Sequence, residues 1–243
     1  IGALEDMAEG EMIYSVRFMQ SRAYLVTFVQ TDPLFVIDLS IPSSPKILGS
    51  LKIPGFSNYL HPYDNNTLIG FGRDTEESEK GRVTTQGLKL SLFDVSDVSN
   101  PKELDNYIIG GMGSYSEALT DHKAFLFSKE KNLLVVPADI TEKKNNTWGN
   151  LDFSGALVFE IKDGKFNLKG KISHYKDLKP QNNNDYYGYG YDYNSKVRRG
   201  LYISDNLYTF SNNYLKINKI SDLEEIKSIE LYPVGTGFKV ITY

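Results

Sequence analysis

The chain has 243 residues, a length that fits one large all-β domain or two small ones. Hydrophobic residues make up 40 % and aromatics 13 %, enough for a sizeable core, and the 17 tyrosines favour strands over helices. A net charge of −4 argues against a nucleic-acid footprint, no apolar run is long enough to span a bilayer, and the absence of cysteine excludes disulfides, thiolate metal sites and a cysteine nucleophile.

In chain order, short apolar runs bounded by Gly, Pro, Asn, Asp and Ser predict strands over 14–19, 23–28, 34–39 and 47–53. The next four fall over 58–62, 67–71, 88–95 and 103–109, with a polar insertion at 74–82. A third set covers 124–127, 133–136, 156–161 and 166–172, with a loop at 142–149 that carries the single tryptophan, Trp148. The last set is 201–203, 207–210, 214–217 and 225–231. His61 before Pro62 and His122 after Asp121 read as turn residues.

A recurring unit ties these sets together. Phe35-Val36-Ile37-Asp38-Leu39-Ser40 is followed by Pro45-Lys46, and Ser91-Leu92-Phe93-Asp94-Val95-Ser96 by Pro101-Lys102. Weaker copies surround Glu160 and Lys216, so that Asp38, Asp94, Glu160 and Lys216 stand 56, 66 and 56 residues apart. A period of this size with four strands per repeat predicts an all-β fold, a β-propeller built of four-stranded antiparallel blades. The repeats run approximately over 11–55, 56–111, 112–175 and 197–232. Asp38 and Asp94 suit turns that accept backbone N–H bonds, and Pro45 and Pro101 suit the start of an outermost strand, where a missing donor is harmless.

The segment 180–196 is poor in aliphatic residues and dense in Tyr and Asn, including Tyr187, Tyr189, Tyr191 and Tyr193. Such loops make adaptable binding surfaces, because Tyr supplies contact area at low entropy cost; the plain alternative is a low-complexity insertion.

The chain also resembles a known family. The residues that carry the resemblance are Gly10-Glu11-Met12-Ile13-Tyr14-Ser15-Val16-Arg17-Phe18, Tyr24-Leu25-Val26-Thr27-Phe28 and Asp32-Pro33-Leu34-Phe35-Val36-Ile37-Asp38-Leu39. With them go Leu51-Lys52-Ile53-Pro54-Gly55-Phe56-Ser57-Asn58-Tyr59-Leu60-His61-Pro62-Tyr63, Ser116-Glu117-Ala118-Leu119 and Asp121-His122-Lys123-Ala124-Phe125. Together, over roughly residues 8 to 231, they resemble the secreted β-propeller-domain proteins of bacteria and archaea, distant relatives of WD-40 repeats. The resemblance implies a propeller that is secreted or held at the cell surface. It implies no reaction and assigns no functional residue. Family members are usually longer, which agrees with an expectation that the chain is part of a longer propeller, its ends falling within blade-like sequence.

In a propeller the first strand of each blade lines the central channel. That places Ser15 with Arg17, Ser57 with Tyr59, Ser116 with Glu117, and Arg198 with Arg199 at the channel. Arg17 and Arg199 would then pair with Glu117 or hold an anionic ligand through guanidinium forks; the plainer reading is a ring of structural salt bridges. The three histidines lie in different repeats without the spacing of a zinc site. Calcium is a possible cofactor, with Asp64, Asp185 and Asp192 in oxygen-rich loops as weak ligand candidates. No nucleophile elbow and no phosphate-cradling glycine loop is present.

These observations point to a non-enzymatic extracellular binding scaffold. Its ligand contacts would be Arg17, Tyr59, Glu117, Arg199, Trp148 and the insertion tyrosines, and its partner a protein or carbohydrate at the cell surface. The missing upstream part of the same polypeptide is a further possible partner. The alternatives are a saccharide-active hydrolase or lyase with a calcium-assisted site, and a structural component of a cell-envelope assembly.

Overall fold

Among the residues described by the computed structural model, 2–5, 7–28, 32–78, 81–144, 147–175 and 192–231, sixteen strands make four antiparallel sheets, each of four strands in chain order. The first blade holds β1 (Met12–Met19), β2 (Arg22–Phe28), β3 (Asp32–Asp38) and β4 (Lys46–Ile53). The second holds β5 (Phe56–Asp64), β6 (Thr67–Glu77), β7 (Val83–Asp94) and β8 (Lys102–Ile109). The third holds β9 (Leu126–Ser128), β10 (Leu133–Thr141), β11 (Leu151–Lys162) and β12 (Lys165–Ile172). The fourth holds β13 (Arg199–Ile203), β14 (Asn206–Phe210), β15 (Tyr214–Lys219) and β16 (Glu225–Glu230).

The turn chemistry matches the sequence reading. The Ser40 N–H donates to Asp38 Oδ1 and the Ser96 N–H to Asp94 Oδ1, each at 2.9 Å, while Pro45 and Pro101 stand immediately before β4 and β8. The repeat alignment needs one correction. Asp38, Asp94 and Glu160 each face the first residue of the preceding strand, namely Arg22, Thr67 and Leu133. In the fourth blade that place belongs to Lys219, opposite Asn206, whereas Lys216 faces Thr209. Without an acidic marker the fourth copy aligns on its apolar pattern alone, which tolerates such a slip.

Three further expectations change. The insertion at 74–82 begins as strand, since β6 runs on to Glu77 and Thr75, Glu76 and Glu77 pair with Thr85, Thr84 and Val83. β-branched threonines sustain a ladder in polar sequence. The strand expected at 124–127 is shortened by two 3-10 turns, Glu117–Leu119 and His122–Ala124, capped by the Ser116 and Asp121 side chains. His61 lies inside β5 rather than in a turn, because a first strand exposes one edge and tolerates the neighbouring Pro62.

Core strands are buried on both faces and read as continuous apolar runs. Along β10, Leu134, Val136, Ala138 and Ile140 pack toward the second blade, while Leu133 and Val135 pack toward the fourth. Tyr24, Val26 and Val36 of the first blade meet Phe56, Leu60 and Phe93 of the second. Ala23, Leu25 and Ile37, on the first blade's other face, are covered by Leu4 and Met7. Among the described residues, apolar clusters join the first blade to the second, the second to the third and the third to the fourth; none joins the fourth to the first. Ile13, Val16 and Phe18 of β1 and Ile203 of β13 stay exposed.

His174, only 2 % exposed, fastens the end of the third blade to the fourth: its Nδ1 and Nε2 lie 2.9 Å from Ser211 Oγ and Thr209 Oγ1. Burial, with a smaller push from the Lys216 charge, lowers its pKa from the ordinary 6.5 to about 4. Between those values the unfolded chain binds a proton that the folded chain refuses. Stability is therefore lost as pH falls from 6.5 towards 4, by up to about 3 kcal/mol from this group. His61 adds to the same slope. Melting curves at pH 7 and pH 5 should show a smaller acid loss for His174→Gln than for the wild type; equal losses would refute this role for His174.

Candidate functional site

The first strands stand side by side: Ser15 Oγ donates to the Ser57 carbonyl at 2.7 Å, setting β1 alongside β5. That neighbourhood brings Arg17 to Tyr59, with the guanidinium carbon 5.9 Å from the ring centroid. Tyr59, His61 and Tyr63 share one face of β5 by the two-residue period of a strand. The Tyr59 hydroxyl lies 2.9 Å from His61 Nδ1, and both rings pack on Phe125 at 5.2 and 5.3 Å. On the third-blade side the His122 ring stacks on Tyr59 at 6.3 Å.

Asp121, next to His122, receives Arg199 Nη2, and the same guanidinium donates through Nη1 to Glu117 Oε1 at 3.0 Å. Arg198 closes on Glu117 with a fork, Nε to Oε2 at 3.2 Å and Nη2 to Oε1 at 3.1 Å. A single path therefore runs from Arg17 of the first blade through Tyr59 and His122 to Arg198 and Arg199 of the fourth. Of the two guanidiniums expected to meet Glu117, only Arg199 does so, and Arg198 joins it. Arg17 instead lies beside Tyr59.

Electrostatics along the path follow from this pairing. Burial pushes the Glu117 carboxyl up, but the hydrogen bonds and charges of Arg198 and Arg199 outweigh it and hold the group below its usual value. The Lys123 backbone N–H, aided by the Arg199 charge and opposed by slight burial, lowers Asp121. Burial raises the Tyr59 phenol against the opposing pull of Arg17. Burial, then the Arg17 charge, pushes His61 down to about 4, so its imidazole is neutral at pH 7.

Strand directions alternate, so the β6–β7, β10–β11 and β14–β15 connections emerge at the same end as the blade-to-blade connections. Bonds between them confirm this: Gly55 N–H to Thr75 Oγ1 at 2.8 Å, Arg73 Nη1 to the Ser114 carbonyl at 2.8 Å, and Gly111 N–H to the Thr141 carbonyl at 3.0 Å. Trp148 is 65 % exposed in the β10–β11 connection of this rim. Tyr193, also exposed, opens a 3-10 turn (Tyr193–Ser195) near the Arg198 charge. Tyr187, Tyr189, Tyr191 and Asp185 lie outside the described residues.

The other calcium candidates are occupied by protein donors. Asp64 accepts from the Asn66 N–H at 3.0 Å and from Lys129 Nζ at 2.9 Å. Asp192 accepts from the Asn194 N–H, Ser195 Oγ and Asn213 Nδ2, which makes it a turn clamp. Among the described residues no group of three His, Asp or Glu side chains is placed to hold a metal ion.

Sequence reasoning missed His61, His122 and Phe125 as neighbours of Tyr59, and Asp121 as a partner of Arg199. The alternation Tyr59-His61-Tyr63 facing Phe125-Phe127 was a readable signal for them. It also missed a buried pair at the junction of the third and fourth blades, Asp139 with Lys196, for which no local pattern exists.

An uncharacterised protein of Methanocaldococcus jannaschii is 37 % identical over 242 residues, which is 98 % of this chain and 32 % of that protein. A second, from Archaeoglobus fulgidus, is 47 % identical over 138 residues, 57 % of this chain and 20 % of that protein. The chain thus spans a third or less of the length of these relatives. A solved quinohemoprotein alcohol dehydrogenase of Pseudomonas putida is similar with a TM-score of 0.46 at 11 % identity, over 90 % of this chain and 34 % of that one, a likeness that carries no weight for chemistry. A family model described as beta propeller domain matches residues 1–223. With four four-stranded antiparallel blades and that match over nearly its whole length, the chain belongs to the beta propeller domain family.

Proposed function

We propose that this chain is a non-enzymatic binding module, secreted or held at the cell surface, whose ligand lies along the inner path and the loops above it. A propeller fold by itself does not specify a function, so the reading rests on the site. The observation that carries it is the continuous run of side chains from four blades: Arg17, Tyr59, His122, Asp121, Glu117, Arg198 and Arg199. Aromatic rings and guanidiniums on a rigid frame are the groups that dominate recognition surfaces.

The titratable groups of the path favour binding over proton transfer. Glu117 is held ionised between two guanidiniums, which makes it a poor general acid. His61 stays neutral and is turned toward the Tyr59 hydroxyl. A saccharide hydrolase would instead need one carboxyl kept protonated near neutral pH.

An array of cell-surface saccharides and peptides probed with the full chain tests this reading. Tyr59→Ala should weaken binding of the captured ligand at least about tenfold, the loss of one aromatic anchor. A ligand bound equally well by wild type, Tyr59→Ala and Glu117→Gln would place recognition elsewhere and end the proposal.

A further inference from the structure

Three arginines stand on the inner path, and two of them are matched by carboxylates. Arg198 and Arg199 share Glu117, and Arg199 also reaches Asp121, so that segment is close to charge balance. Arg17 differs. Among the described residues no carboxylate lies within ion-pair distance of it, and its Nε is enclosed without a hydrogen-bond partner. The residue is only partly buried, held over the Tyr59 ring by the docking of β1 on β5. Its charge is felt by its neighbours, opposing the rise of Tyr59 and adding to the lowering of His61.

A partly desolvated guanidinium without a counter-charge draws an oxyanion, and its fork suits a carboxylate in particular. The surroundings restrict which anion fits. Next along the path come the Tyr59 and His122 rings, then the Glu117 and Asp121 carboxylates, already matched by Arg198 and Arg199, which leave no uncompensated cation for a second anionic group on the ligand. Their oxygens accept hydroxyl donors instead. One acidic group followed by a flat ring edge and hydroxyls describes a sugar acid better than a phosphate or a uniformly acidic peptide.

We propose that Arg17 anchors a uronate subsite, pairing with the single carboxylate of an acidic sugar whose ring lies along Tyr59 and His122. The inference rests on the binding-module reading above and names the ligand class of that same site.

Calorimetric titration of the full chain with an oligosaccharide carrying one glucuronate, and with its neutral glucose counterpart, tests it. The wild type should bind the acidic sugar about tenfold more tightly, and added salt should narrow the gap. Arg17→Gln should abolish the preference, so that the acidic and neutral sugars bind equally, and Arg17→Lys, which keeps the charge without the fork, should retain part of it. A preference that persists in Arg17→Gln overturns the subsite while leaving the binding module standing. So does a wild type with no preference, or one that binds a carboxylate-bearing peptide as tightly as the sugar. Loss of the neutral sugar's affinity in Tyr59→Ala, with unchanged behaviour of Arg17→Gln, would place the sugar on the path but its carboxylate elsewhere, and also overturns the subsite.

Discussion

Replacing Lys196 with Met should lower the unfolding free energy by about 3–5 kcal/mol, because it strands a buried carboxylate. Lys196 is 8 % exposed, its Nζ lies 2.6 Å from Asp139 Oδ2, and its ammonium sits 4.6 Å from the centre of the Tyr115 ring. Asp139 also receives Ser154 Oγ at 2.6 Å, so its charge is stabilised from both sides. The Asp139 backbone is independently bonded to Tyr115, N–H to carbonyl in both directions, and the substitution leaves that bridge intact. What is lost is the cation that compensates burial of the carboxylate. Urea unfolding of Lys196→Met and of the double variant Asp139→Leu with Lys196→Met separates pairing from packing. The double variant should recover most of the loss, since apolar replacement of a buried pair is often neutral or better. A single variant within about 1 kcal/mol of wild type would show that the pair is no more than a surface contact.

Phe159→Ala should cost about 3–5 kcal/mol as well, by a different cause. The ring is fully buried in the cluster between the second and third blades and meets Tyr107 edge-on at 5.0 Å. Strands from both blades close round it, so the surroundings cannot collapse into the vacated space and a cavity term adds to the lost transfer energy. Ile226→Ala is the control: at 50 % exposure on β16 it should change stability by less than about 0.5 kcal/mol. Equal midpoints for the two variants in the same denaturant series would refute the packing assignment of Phe159.

The two effects show where legibility stopped. Phe159 was readable as core, because the run 156–159 is apolar and its strand leads to a hairpin turn of Asp163 and Gly164, both with positive φ (52° and 71°). Lys196 was not, since a lysine beside the Tyr/Asn-rich segment reads as solvated until another blade is laid over it. Glu117 behaves the same way: its partners Arg198 and Arg199 are 81 and 82 residues distant. Nothing in the sequence chooses them over Arg17, and only the seating of the fourth blade on the third does so.

The sequence by itself determined strands, turns and the four-fold repeat, because each rests on neighbours within a few residues: side-chain alternation, Asp-accepted turn bonds, and prolines heading outer strands. Its slip in repeat register, Lys216 for Lys219, came where the blade lacked the acidic marker. Tertiary structure alone decided which charges meet, and that Arg17 is left beside an aromatic ring. Those outcomes depend on how blades pack face to face, and blade packing is set by the summed fit of buried apolar faces rather than by any residue near the charges themselves.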